Sequence, residues 1–155
     1  MMETKPFEIF NNDWALLTAG PLSKHNSMTN SWREMGTLWS KKVVTVYVKP
    51  IRYTYEFMEE NDYFVLSFFD NQYKKSLALM GSKSGRDIDK DKEANLTPVE
   101  HNGVTIYKEA RMTIILKKIY HADLIKDNVP IEALETYYLK EKPHRMYIGE
   151  VVEIL

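Results

Sequence analysis

Val43-Val44-Thr45-Val46-Tyr47-Val48 is the segment on which the fold class turns. Every residue in it is β-branched or aromatic, and such side chains pack well on a pleated surface. The run is short and closes at Pro50, whose missing N–H ends a ladder. Its apolar character is nearly continuous, which predicts a strand covered on both faces.

Working outward, Trp14-Ala15-Leu16-Leu17-Thr18-Ala19-Gly20 reads as a first strand stopped by Gly20-Pro21. A polar stretch over residues 23–31 follows and can be extended. Downstream, Tyr53–Glu60 suits a short helix and residues 62–69 return to strand. Residues 73–80 read as a helix with Gly81 as its stop, and a second, polar helix fits residues 87–94. His101-Asn102-Gly103-Val104 is the strongest hairpin signal, because Asn-Gly readily supplies the positive φ angles of a tight turn. Residues 110–120 read as a long strand, residues 131–138 as a short helix after Pro130, and residues 144–154 as a closing strand. Strands outnumber helices and the helices are short. The expectation is an all-β dominated single domain over residues 1–155, a barrel-like antiparallel sheet with peripheral helices.

At 155 residues the chain is long enough to bury a full core. Hydrophobic residues make up 44% and charged residues 28%, as in ordinary globular proteins. Tyr, at 10 residues, suits half-buried strand and pocket positions alike. Against 21 basic residues stand 22 acidic ones, so no global charge argues for nucleic acid or a membrane surface. The alternating run Arg86-Asp87-Ile88-Asp89-Lys90-Asp91-Lys92-Glu93 reads as a solvated face. With no cysteine, thiolate nucleophiles, disulfides, Cys-ligated zinc and iron–sulfur clusters are excluded. The opening Met1-Met2-Glu3-Thr4-Lys5-Pro6 has no signal-peptide pattern, and no apolar run approaches the ~18 residues of a membrane span. The expectation is a cytoplasmic protein.

Three stretches are rich in small polar groups. Lys24-His25-Asn26-Ser27-Met28-Thr29-Asn30-Ser31-Trp32 places amides and hydroxyls on extended backbone and ends in a large ring. It can face a planar heteroaromatic ligand, or simply be an edge strand facing solvent. Lys49-Pro50-Ile51-Arg52-Tyr53-Thr54 lies between a strand and a helix. Arg52 and the Thr54 hydroxyl can complete a phosphate cradle at a helix N-terminus, or serve as a surface charge and a cap. Gly81-Ser82-Lys83-Ser84-Gly85-Arg86-Asp87 lacks the Walker spacing. It can still bind an anion through backbone N–H groups, or be a mobile loop.

His25, His101, His121 and His144 show no metal-ligand spacing. His101, before the hairpin turn, reads as solvated. His144, where the last strand begins, reads as a structural group or as a donor reaching a pocket. No Gly-x-Ser-x-Gly elbow supports a hydrolase triad, and no Gly-x-Gly-x-x-Gly supports a Rossmann site.

Taken in order, the Asn26–Trp32, 46–54, 81–87 and 144–151 segments resemble the flavin reductase-like family, FMN-binding split β-barrel proteins that include flavoredoxin-type members. The resemblance implies an antiparallel, Greek-key-like barrel and a homodimer with FMN near the subunit interface. It implies that Asn26, Met28, Thr29 and Ser31 line the isoalloxazine, with Ser27 in the same segment. Trp32 packs on the ring or fills the core. Arg52 and Thr54, with Tyr53 between them, would hold the ribityl phosphate together with Ser82, Lys83 and Ser84. His144 would face a nicotinamide or another electron partner. The function implied is an NAD(P)H:FMN oxidoreductase using NADH or NADPH. The alternatives are a flavoredoxin-type carrier exchanging electrons with a redox protein, or a barrel holding another redox ligand such as haem or a deazaflavin. Arg33-Glu34-Met35, where relatives often have small residues, implies a narrowed access route.

Overall fold

A computed structural model describes residues 13–155. It contains strands β1 (Ala15–Ala19), β2 (Asn26–Asn30), β3 (Arg33–Leu38), β4 (Lys41–Val48), β5 (Tyr63–Phe68), β6 (Pro98–His101), β7 (Val104–Tyr107), β8 (Met112–Asp123) and β9 (Arg145–Ile154). Its helices are α1 (Tyr53–Glu60), α2 (Lys74–Ser82), α3 (Lys90–Ala94) and α4 (Ile131–Tyr137). Among the described residues no helix is long and apolar enough to cross a membrane.

Among the described residues seven strands form one sheet in the order β2-β1-β5-β8-β9-β4-β3, and β6 pairs only with β7. Every pairing is antiparallel. The two outermost strands, β2 and β3, are consecutive in sequence and joined by Ser31 and Trp32 alone. In a flat sheet those edges would stand roughly 29 Å apart at ~4.8 Å per strand. A two-residue link reaches only about 11 Å. The sheet therefore rolls until its edges meet. At the seam no ladder forms, and side chains bridge instead. Asn30 Nδ2 donates to Tyr47 O at 3.4 Å, and Arg33 Nη1 donates to Asn30 O at 2.6 Å. The result is a barrel split along one side.

Alternation sorts the side chains. Leu17, Met28, Val44, Val46, Val48, Phe64, Leu66, Phe68, Leu116 and Tyr147 fill the interior. On the outside, Leu16 of β1 packs with Leu77 and Met80 of α2, Ala94 of α3, Leu96 and Tyr107. The β6–β7 hairpin lays Val104 over Val65 and Ile115. Strand β1 is thus buried on both faces, and β4 is buried from Val43 through Val46. Asn102 and Gly103 take φ values of 48° and 87° at the hairpin tip, as the dipeptide requires.

Two local expectations are corrected, and one strand is added. Helix α2 does not stop at Gly81 but continues through Ser82, and Lys83 is the first extended residue. Gly81 serves packing instead, since an added Cβ there would lie 3.1 Å from the Thr29 Cβ. Strand β3 was not legible, because its Arg-Glu-Met-Gly-Thr-Leu run has no alternation. It forms because all six residues pair with β4, through a turn whose Trp39 and Ser40 both take positive φ. The run 86–93 is not wholly solvated. Lys90 is buried, and Asp91 accepts hydrogen bonds from Tyr107 and His25.

Candidate functional site

Beyond the end of β4 the chain enters α1 at Arg52, and the loop after α2 returns across the same region. Between them and β2 lies a cavity of about 460 Å³. Asn26 and Met28 line it from β2, and Arg52, Tyr53 and Thr54 from the start of α1. Ser82, Lys83 and Ser84 come from the end of α2 and the following loop. Eight of the residues singled out in the sequence therefore meet in one place. Lys49, Gly85, Arg86, Asp87, Lys90 and Glu141 join them there.

The wall is built by specific contacts. Asn26 Nδ2 donates to Thr54 Oγ1 at 2.8 Å, joining the sheet edge to the first turn of α1. Arg52 caps α1 without a side-chain cap bond and donates from Nη1 to Gly81 O at 3.1 Å, joining α1 to α2. Arg86 is held by Glu56 at 2.5 Å and lies 4.6 Å over the Tyr53 ring. The close passage of the loop over β2 demands Gly85. A Cβ at that position would overlap Asn26 Oδ1 and stand 3.1 Å from Tyr53 Cδ1.

Period-two alternation turns the neighbours of Asn26 and Met28 away from the cavity. Ser27 Oγ instead meets Thr18 Oγ1 and Tyr107 OH, each at 2.7 Å. Thr29 Oγ1 donates to Leu77 O of α2. Ser31 sits exposed on the link to β3. Trp32 lies outside the cavity, with ring centroids 4.8 Å from His144 and 5.0 Å from Tyr137. Nor do Arg33, Glu34 or Met35 line the cavity. Arg33 turns into the seam over Phe68, and Glu34 accepts from Tyr47 OH.

His144 is buried beside this rim rather than lining the cavity, its Nδ1 2.7 Å from Tyr138 OH. Burial, then the nearby Lys49 and Arg52 charges, pull its pKa down to about 4. The ring is a neutral imidazole at neutral pH. Lys49 is paired with Glu141 at 2.5 Å, and that bond holds the Glu141 carboxyl below its ordinary range.

The other histidines have structural partners. His25 Nε2 meets Asp91 Oδ2 at 2.7 Å, and His101, expected to be solvated, is half-buried against Glu153 at 3.0 Å. Despite the cost of burial, Asp91 raises the His25 pKa. Among the described residues no cluster of three His, Asp or Glu side chains could hold a metal.

Sequence reading missed Lys90. It sits inside an alternating charged run, and nothing in that pattern separates an inward lysine from solvated ones. It is 7% exposed, and its Nζ donates to Ser27 O at 2.6 Å. Burial, followed by the Arg52 charge, brings its pKa down to about 8.

The family model described as "Flavin reductase like domain" matches residues 8–155. No curated protein matches the chain in sequence. Among solved structures, an FMN-binding protein from Thermus thermophilus is 21% identical with a TM-score of 0.70, over 92% of this chain and 69% of that one. Flavoredoxin from Methanosarcina acetivorans is 18% identical with a TM-score of 0.73, over 92% and 67%. An NADH:FAD oxidoreductase from Streptomyces globisporus is 14% identical with a TM-score of 0.69, over 92% and 73%. At these identities the likeness is one of fold.

Proposed function

The chain belongs to the flavin reductase like domain family, and from that membership we propose that it binds FMN and works as an NAD(P)H:FMN oxidoreductase. One observation carries the reading. The cavity joins a helix start, two serines and several cations to the apolar faces of Met28 and Tyr53. That donor set suits a phosphate ester carried on a larger planar group. The volume of about 460 Å³ falls within the ~300–1,000 Å³ of cofactor sites. Gly85 lets the loop close the cavity against β2, where a Cβ would overlap Asn26 Oδ1.

In this reading Arg52, Thr54, Ser82, Lys83 and Ser84 hold the phosphate, and Asn26, Met28 and Tyr53 orient the rest of the molecule. Bound FMN supplies the hydride-accepting chemistry itself. The chain's own work is anchoring and orientation. The Asn26–Thr54 bond fixes the wall before ligand arrives, so little ordering is left to occur on binding. In this reading neutral His144, buried just outside the cavity, belongs to the nicotinamide side and adds no charge there.

We further place the protein in the cytoplasm as a homodimer. The exposed rings of Trp39 and Tyr120, 6.5 Å apart, give a second copy an apolar surface to cover. Light scattering that returns a monomer mass would reject that assembly.

A flavoredoxin-type electron carrier is the second reading. Trp32 and Tyr137, packed edge to face and 42% and 45% exposed, offer a redox protein a contact beside the cavity. FMN titration followed by NADH and NADPH oxidation separates the readings. Uptake with turnover supports the reductase, and stoichiometric uptake with neither nucleotide oxidised supports the carrier. No uptake of FMN rejects both.

A further inference from the structure

The connection from β8 to β9 runs over residues 124–143 and includes α4. Among the described residues of this connection Tyr138 is the only buried one, 6% exposed. Lys49, just past the end of β4, braces the connection on either side of that ring. Its Nζ donates to Tyr137 O at 3.3 Å and pairs with Glu141 at 2.5 Å. The tyrosine ring is thus fixed in a segment with little else buried. Its hydroxyl has one partner among the described residues, His144 Nδ1 at 2.7 Å.

The proton of that bond belongs to the tyrosine. A neutral imidazole carries one N–H and one acceptor nitrogen. Were the hydrogen on Nδ1, the phenol oxygen would accept it and the phenol's own O–H would be buried without an acceptor. An unmade bond of that kind is costly, whereas Tyr138 donating to Nδ1 satisfies both groups. The neighbours offer no competing acceptor. Lys49 Nζ, 5.9 Å from the Tyr138 ring centroid, is itself a donor, and Trp32, its ring centroid 4.8 Å from that of His144, has only an N–H to give. Burial and the Lys49 and Arg52 charges keep the imidazole neutral, against the smaller opposing pull of Glu141. With Nδ1 engaged, Nε2 is the nitrogen left to meet a ligand, and it carries the hydrogen.

We propose that Tyr138 is a positioning residue, which holds His144 as its Nε2–H tautomer and so makes it a fixed hydrogen-bond donor to the carboxamide oxygen of a nicotinamide. The role rests on the NAD(P)H reading above, in which His144 belongs to the nicotinamide side. A histidine free to change tautomer would accept from the carboxamide NH2 group as readily as it would donate to the oxygen. The nicotinamide would then be held in two orientations. A tyrosine that fixes the tautomer leaves one of them, at no cost in charge.

The first measurement is the tautomer itself, read from the ring-nitrogen shifts of His144 by long-range proton–nitrogen NMR on the isotope-labelled full chain. In wild type the hydrogen is expected on Nε2 alone. Tyr138→Phe keeps the buried ring and removes the hydroxyl, and a mixture of tautomers is expected there. Hydrogen on Nδ1 in wild type, or unchanged shifts in the variant, overturns the proposal. The second measurement is NADH and NADPH oxidation with FMN. Tyr138→Phe is expected to raise the nucleotide KM roughly 3- to 10-fold, the effect of one neutral hydrogen bond, with kcat within about twofold. In a His144→Gln background, whose side-chain amide has no tautomers, the same substitution is expected to change KM by less than about twofold. An unchanged KM with His144 present, or an equal rise in both backgrounds, makes Tyr138 a structural anchor alone and overturns the proposal. A wild type that oxidises neither nucleotide overturns the NAD(P)H reading, and the tautomer measurement then decides the positioning by itself.

Discussion

Asn26 Nδ2 donates to Thr54 Oγ1 at 2.8 Å, across 28 residues of sequence and between two buried side chains. Through it an edge strand and the first turn of a helix become a single wall. Thr54→Val keeps the shape of the side chain and removes the acceptor, leaving a buried amide donor unpaired. The expected loss is about 1–3 kcal/mol in urea unfolding, with weakened FMN uptake. Equal unfolding midpoints for variant and wild type would show that the bond carries no such weight.

Arg52 links α1 to α2 through Gly81 O and faces the cavity. Arg52→Ala is expected to cost roughly 1.5–3 kcal/mol of FMN binding, the range of a hydrogen bond to a charged group. Isothermal titration returning the wild-type dissociation constant would place the phosphate elsewhere.

Gly85 is required by proximity, for a methyl group there would overlap Asn26 Oδ1. Gly85→Ala must push the loop off β2 or displace the Asn26 amide. FMN affinity is expected to fall on the order of tenfold, equivalent to about 1.4 kcal/mol. Titration of the variant checks this, and wild-type affinity would mean the loop yields without disturbing the site.

His144 makes stability depend on pH. Its pKa is about 4 in the folded chain and ~6.5 when unfolded. Above pH 6.5 both states are neutral there, and the stability is intact. Below it the unfolded chain takes up the proton first, so stability is lost progressively as pH falls from 6.5 toward 4. The full loss is roughly 3 kcal/mol. The raised pKa of His25 acts with the opposite sign, stabilising at low pH and losing effect as pH rises through its folded value. Comparing wild type with His144→Gln isolates one group from the other. The variant's unfolding free energy should decline less across that acid window, and parallel curves would contradict the assignment.

Local features were legible where the local signal agreed with the tertiary environment. The Val43–Val48 run, the Tyr53–Glu60 helix and the Asn102-Gly103 turn each carry their conformational preference within a few residues. Strand β3 carries none. Its turn is made by Trp39 and Ser40 where Asn-Gly would be the expected signal, so only pairing with β4 reveals it. At the site, the contributing segments were legible but not their facing residues. Ser27 and Thr29 look as suitable as Asn26 and Met28 until the pleat sends them to the opposite side.

By itself, then, the order of residues determined that this chain makes antiparallel strands with short helices between them, and which segments carry the polar groups that meet at the cavity. Those properties depend on near neighbours and on the period of the pattern. Only the tertiary structure decided that β2 and β3 meet as the edges of a rolled sheet, because closure depends on strand order and not on any one strand. It alone decided that Lys90, one charge in an alternating run, lies buried at the cavity wall. Burial is set by the elements that pack around a side chain, and those are brought from distant parts of the sequence.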